Sequence, residues 1–297
     1  MLRIAKSFSI LFFISTFMYS KNLYSDDACY DSDFYKKTTN IIIFDGTTPP
    51  NDNEKKIFKE GVHNVTVSEK TFGRVEWYSI GPREYSFKKL NGDCIFPYDF
   101  FNDQINANNS SIFNTISDYI FPKPPIRDQL NKSYTGKSIA ESRNDIALQI
   151  YNDSIGSIKE EKTTCLLNDI ICIINDRYSD YDNINLFVFT DLTDSKLKKL
   201  ISSNKINNTE LVKNAQKTGR EFVKNIDIDN KGNDKKNKKI SFIFWGVGRN
   251  EYKELGTYNK EQLDRLKIYW VSFLQSAFDD RFTVTNIKFY INLPRQF

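Results

Sequence analysis

Short apolar runs rich in β-branched and aromatic residues punctuate the chain, and stretches with helical spacing lie between them. Asn40-Ile-Ile-Ile-Phe-Asp45 is a continuous apolar run closed by Asp-Gly, which suits a strand buried on both faces of a parallel sheet. Asn185–Thr190 reads as another buried strand, Val75–Ile80, Ile240–Trp245 and Thr283–Ile291 as further strands, and Tyr85–Leu90 as a short edge strand. Helices are predicted over 53–65, capped by Asn51 or Asp52, and over 98–119, 138–158, 210–224 and 261–278. A further helix runs from a Thr163 or Thr164 cap to about Asn175. The last long helix places Leu263, Leu266, Trp270, Phe273, Leu274 and Ala277 on one face. Strands alternating with helices require parallel crossovers. The fold class is therefore α/β, a three-layer α/β/α sandwich around a mostly parallel, Rossmann-like central sheet. No composition shift, linker or internal repeat divides the chain, so residues 26–297 read as one domain with a helical insertion near 99–160.

The first residues read differently. Arg3 and Lys6 precede an apolar run from Phe8 to Tyr19, the length of a signal-peptide core and short of the ~20 residues of a comfortable membrane span. Residues 1–25 are expected to be a signal peptide cleaved before Asp26, which makes the protein secreted or periplasmic; an uncleaved N-terminal anchor is the other reading. This changes the charge picture. Arg3, Lys6 and Lys21 leave with residues 1–25 and no acid does, so the formal net charge of +4 falls to +1. Bulk charge then gives no support to a nucleic-acid partner. The basic stretch Lys231–Lys239 reads as a solvated loop. No second apolar run is long enough to span a bilayer.

Export also bears on the four cysteines. Cys29 and Cys94 are candidates for a disulfide that ties the mature N-terminus to the body. Cys165 and Cys172, seven apart on a helix, would be separated by a rise of about 10.5 Å, beyond disulfide reach, and read as small buried apolar residues. The six Asn-x-Ser/Thr sequons are expected to be chance in so Asn-rich a chain.

The chemistry left open is oxygen chemistry. One histidine, His63, removes any two-histidine metal site, and no Ser-His-Asp triad is easy to place. Thr135-Gly-Lys-Ser138 lacks the first glycine of a phosphate loop, since Asn131 stands there. Gly246-Val-Gly-Arg249 reads as a strand-end turn. Ligands of open α/β sheets bind beyond the carboxyl ends of the strands. Two strands end there in acids, Asp45 in Asp45-Gly-Thr47-Thr-Pro49 and Asp191 in Thr190-Asp191-Leu-Thr-Asp194. With hydroxyls from Thr47 and from Thr163 or Thr164, these carboxylates offer what a hard divalent cation takes: magnesium, or manganese or calcium in its place. The other reading is that both acids cap turns or helices.

At these residues the chain resembles the von Willebrand factor A-like domains, whose adhesion site uses D-x-S-x-S after the first strand, a Thr on a later loop and an Asp after the fourth strand. Asp45-x-Thr47-x-Pro49 matches the first segment with Thr and Pro in place of the two serines, Asp191 matches the strand-four Asp, and Thr164 best matches the loop Thr, with Thr163 and Thr135 as rivals. Gly246-Val-Gly-Arg249 and Tyr269-Trp270 with Phe273 match an exported bacterial group of such proteins. The resemblance spans roughly residues 39–291. It implies a non-enzymatic protein that mediates protein–protein interaction or adhesion, with Asp45, Thr47, Thr164 and Asp191 as a degenerate metal site that lacks the ligand Pro49 cannot supply. The enzyme alternative is a phosphohydrolase that resembles the haloacid dehalogenases, with Asp45 as nucleophile. That chemistry wants a second carboxylate two residues on, where this chain has Thr47.

Overall fold

A computed structural model describes residues 38–46, 50–80, 87–95, 139–158, 166–177, 181–192, 197, 200–201, 203, 206–225, 238–247, 259–278 and 282–296. The strands are β1 (Thr38–Asp45), β2 (Gly73–Ile80), β3 (Lys88–Ile95), β4 (Asn183–Phe189), β5 (Lys239–Trp245) and β6 (Thr283–Tyr290). The longer helices are α1 (Asp52–Val67), α2 (Ile139–Gly156), α3 (Leu166–Arg177), α4 (Asn208–Asn225) and α5 (Lys260–Phe278). The sheet runs β3-β2-β1-β4-β5-β6, with β3 antiparallel to β2 and every other neighbour parallel. This is a three-layer α/β/α, Rossmann-like architecture.

Period-two alternation sorts the strand side chains between the two helical layers. Ile42 and Phe44 of β1, with Trp77, Phe187, Phe189 and Trp245, pack under α1 and α2. Ile41 and Ile43, with Leu186, Val188, Phe242 and Phe244, pack under α3, α4 and α5. The core aromatics expected from the sequence, Phe187, Phe189, Phe242, Phe244, Trp270 and Phe273, are all buried. Asn40, Asn185 and Ser241 stand level on β1, β4 and β5 and form a polar ladder. Asn185 donates to Asn40 Oδ1 (3.1 Å), and Ser241 donates to Asn185 Oδ1 (2.8 Å). A one-residue slip would carry these groups to the opposite, apolar layer, so the ladder helps fix the register of three strands.

α1 opens on a capping box. Asn51 Oδ1 accepts from the Glu54 N–H (3.0 Å), and Glu54 Oε2 accepts from the Asn51 N–H (2.8 Å). Phe58, Gly61, Val62 and Val65 form its buried face. Its last turn carries no basic residue. The buried Arg143 of α2 supplies the charge instead and donates to the carbonyls of Thr66 (2.9 Å), Ser68 (2.7 Å) and Thr71 (3.1 Å).

α2 falls within the stretch read as a helical insertion, yet Ile146, Ala147 and Ile150 pack with α1 and the sheet, so it belongs to the sandwich. Residues 96–138, with the helix expected over 98–119, lie outside the described residues. The edge strand expected over 85–90 is β3, displaced toward its carboxyl end. A register shift opposite Trp77 and Tyr78 absorbs Leu90, so Asn91-Gly92 continues the strand instead of turning it. Cys172 is half-buried with a free thiol, not a core residue; burial, and then the Asp169 carboxylate, push its pKa up. His63 is half-buried on α1. The Asn64 sequon has its side-chain amide engaged with the Leu293 carbonyl (2.7 Å).

Candidate functional site at the strand ends

β1 is buried from Thr39 onward, runs apolar through Ile41-Ile42-Ile43-Phe44, and ends on Asp45, which is 6% exposed. The parallel register sets Phe44 beside Phe189, so Asp45 stands level with Thr190, and Asp191 follows at once. Both acids therefore leave the carboxyl ends of adjacent parallel strands. They leave at the place where the strand order reverses, with β2 and β3 on one side and β5 and β6 on the other. That reversal opens the crevice in which doubly wound sheets bind ligands. The N-terminus of α1 lies at this end too, with the carboxylate of Glu54 buried in its cap.

Thr190 links the two strand ends. It is fully buried; its N–H donates to the Trp245 carbonyl (3.0 Å), which ties the turn to β5. Its hydroxyl donates to Asp45 Oδ2 (2.8 Å) and accepts from the Leu192 N–H (3.1 Å). Leu192 has φ +63°, the only non-glycine with positive φ among the described residues. That conformation costs a leucine ~1 kcal/mol. Its side chain is fully buried in the α3–α5 layer, and such burial contributes about 2 kcal/mol, enough to hold it there. Asp191, between these two anchored residues, is half-buried.

Asp45 and Asp191 are thus brought to one place. Thr47, Thr163, Thr164, Thr135 and Pro49 lie outside the described residues, as do Cys29 and residues 1–25. Among the described residues no three His, Cys, Asp or Glu side chains gather as a metal-ligating group. A cation shared by Asp45 and Asp191 would therefore complete its shell with hydroxyl, carbonyl and water oxygens, a donor set that suits a hard divalent ion. The N–H groups of Gly246 and Val247 donate to the carbonyls of Ile291 (3.0 Å) and Tyr290 (3.2 Å), so this turn does not aim them at an anion. Cys94 is disulfide-bonded, to a partner outside the described residues.

Sequence reasoning missed Thr190 and Leu192. The available signal was a hydroxyl directly before the strand-end acid, together with a leucine where a tight turn would favour glycine. It also missed the buried group around Glu76 of β2, which accepts from Arg74 Nε (2.6 Å), Lys89 Nζ (2.8 Å) and the Tyr78 hydroxyl (2.8 Å). Arg74-x-Glu76-x-Tyr78 is a period-two polar pattern inside an otherwise apolar strand.

Compared with protein-family profiles, with curated proteins and with solved structures, the chain finds no match in any of the three. No described helix is long and apolar enough to cross a membrane.

Proposed function

We propose that the chain is an exported, non-catalytic binding protein of the von Willebrand factor A-like kind. In this reading Asp45 and Asp191, joined by Thr47 and Thr164, hold a divalent cation, and a protein partner docks over it. The observation that carries the reading is the pair of acids leaving adjacent parallel strands at the sheet's reversal point. A bound cation would supply a positive charge with an exchangeable water position, open to a carboxylate from the partner. Both acids sit on the ends of rigid strands, while the loops beyond them are free to vary and to set partner choice.

Export is supported by the cysteines. Cys94 is disulfide-bonded, and structural disulfides belong to oxidising compartments. Cys172 is free, which leaves Cys29 and Cys165 as partners. Cys94 pairs with Arg74, at the amino end of β2. Cys29 precedes Thr38, the amino end of β1 two strands over, and nine residues of chain span up to roughly 30 Å. The partner in this reading is Cys29.

Calorimetric titration of the wild type and Asp45→Asn with magnesium and manganese tests the site, since asparagine still accepts the Thr190 hydrogen bond. Binding by the wild type and its loss in the variant are expected; equal behaviour removes the assignment. Release of phosphate from p-nitrophenyl phosphate by the wild type, abolished in Asp45→Asn, would favour the phosphohydrolase instead.

A further inference from the structure

Of the chain's many asparagines, Asn91 alone is followed by glycine. It lies on the edge strand β3 and is exposed. Other asparagines have their amides held in place. Asn40 and Asn185 belong to the polar ladder, where Asn40 also donates to the carbonyls of Phe72 and Arg74, and Asn64 is bonded to Leu293. The Asn91 side chain instead turns onto the backbone that follows it. The Gly92 N–H donates to Asn91 Oδ1 at 2.9 Å, which brings the nitrogen of residue 92 beside Cγ of residue 91. The bulge at Leu90 interrupts the pairing with β2 just before this point.

Glycine stands at 92 for a packing reason. It lies opposite Glu76, and a Cβ there would sit 3.3 Å from the Val75 carbonyl oxygen and 3.4 Å from Glu76 Cγ, with Arg74 Nη2 at 3.6 Å. The buried Arg74–Glu76 pair thus takes the space that a side chain would need. A residue without a side chain leaves its nitrogen unshielded and its backbone the least restricted of any. The packing around Glu76 therefore sets the least hindered nucleophile next to an exposed amide.

We propose that Asn91-Gly92 is a self-modification site, at which the folded chain converts Asn91 to isoaspartate and aspartate without an enzyme. The Gly92 nitrogen gives up its proton to solvent and bonds to Asn91 Cγ. The Cγ–Nδ2 bond breaks, and Nδ2 takes up a proton and leaves as ammonia. Water then opens the resulting succinimide ring. Cleavage between the ring nitrogen and Cγ gives aspartate; cleavage between that nitrogen and the main-chain carbonyl carbon gives isoaspartate, whose backbone runs through Cγ. Nothing is oxidised or reduced, and water is the only reactant added. Either product gains a negative charge at neutral pH. Isoaspartate also lengthens β3 by one carbon, between Lys89, which donates to Glu76 at 2.8 Å, and Gly92, which faces Glu76 across the strands. The modification therefore loosens the ion group that the glycine accommodates. None of this depends on the cation reading above.

The test incubates the wild type and Asn91→Gln at mildly alkaline pH and physiological temperature, folded in buffer and unfolded in guanidinium chloride. Digests are mapped by mass for loss of the amide and by an isoaspartate methyltransferase for the rearranged backbone. In the folded wild type the peptide carrying Asn91 should lose its amide before any other asparagine peptide, at a rate close to that of the denatured chain, and should accept methyl groups. Asn91→Gln, which would have to close a six-membered ring, should keep its amide over the same period. Folded protein that keeps the Asn91 amide, or loses it no sooner than its other asparagines do, overturns the proposal. So does conversion to aspartate with no isoaspartate, which marks direct hydrolysis instead of ring closure. The modified form, separated by its added charge on anion exchange, should melt below the unmodified protein. Equal melting temperatures would overturn the loosening of the Glu76 group.

Discussion

Glu76 has no exposed surface, yet it carries a charge in the middle of a buried strand. Burial raises its pKa, but hydrogen bonds from Lys89, Arg74 and Tyr78, with the Lys89 charge, outweigh burial and leave it below the ordinary value of 4.5. A carboxylate lowered in the native state adds stability that is complete above the unfolded value and is lost as pH falls through the native one. Glu76 should therefore stabilise the fold fully above about pH 4.5 and progressively less below it. Replacing it with glutamine removes the anion from the buried pair with Arg74, and breaking a buried pair in this way costs about 3 kcal/mol near neutral pH. Urea midpoints of the wild type and Glu76→Gln should differ at neutral pH and converge as pH drops. A difference that stays constant with pH would contradict this. At this scale the sequence was only partly readable. Asp45 and Asp191 declared themselves by ending apolar runs, which is a one-dimensional signal. Thr190, Leu192 and Glu76 matter because of what lies across the sheet, and that depends on register, which no run of residues states.

Elements were far more legible than contacts, because they follow from local periodicity and capping. β1, β4, β5 and β6 fall within two residues of where their apolar runs place them. The starts of α4 and α5 come slightly before Glu210 and Glu261. Asn207 boxes with Glu210, and Asn259 with Gln262, so the true cap lies three residues before the box partner. β3 was displaced because a bulge at Leu90 carries the strand on through Asn91-Gly92, a pair that reads as a turn in isolation. The role of Gly61 in α1 is equally invisible locally, where glycine only weakens a helix. A Cβ there would lie 2.3 Å from the Trp245 indole nitrogen, and Trp245 itself stacks on Phe58 with centroids 6.1 Å apart. Gly61→Ala gains ~1 kcal/mol of helix propensity but forces the buried indole to shift, an overpacking cost of about 1–3 kcal/mol. A lower melting temperature with altered near-ultraviolet tryptophan dichroism is expected; a higher one would show that the indole gives way freely.

At the scale of the whole molecule, the layers and the parallel sheet were legible from alternation of element types, whereas the order of strands was not. Order is set by long-range partners such as the Asn40–Asn185–Ser241 ladder. The proposed Cys29–Cys94 bridge would act at this scale too. Closing so long a loop restricts the unfolded chain by about 4 kcal/mol. Peptide mapping of non-reduced protein should recover that pair, and Cys94→Ser should melt well below the wild type. Recovery of a Cys94–Cys165 peptide would refute the assignment. A different consequence follows from the hydrogen bond of Asn64 to the Leu293 carbonyl, which joins residues 229 apart, with the Leu293 side chain buried under the same layer. A chain that emerges amino end first can wind α1 early, but it cannot finish packing that helix until residue 293 has arrived. β5 likewise waits for β6. Folding is thus completed from the far end. Until then the apolar flank of the sheet stays open to whatever holds or escorts the nascent chain.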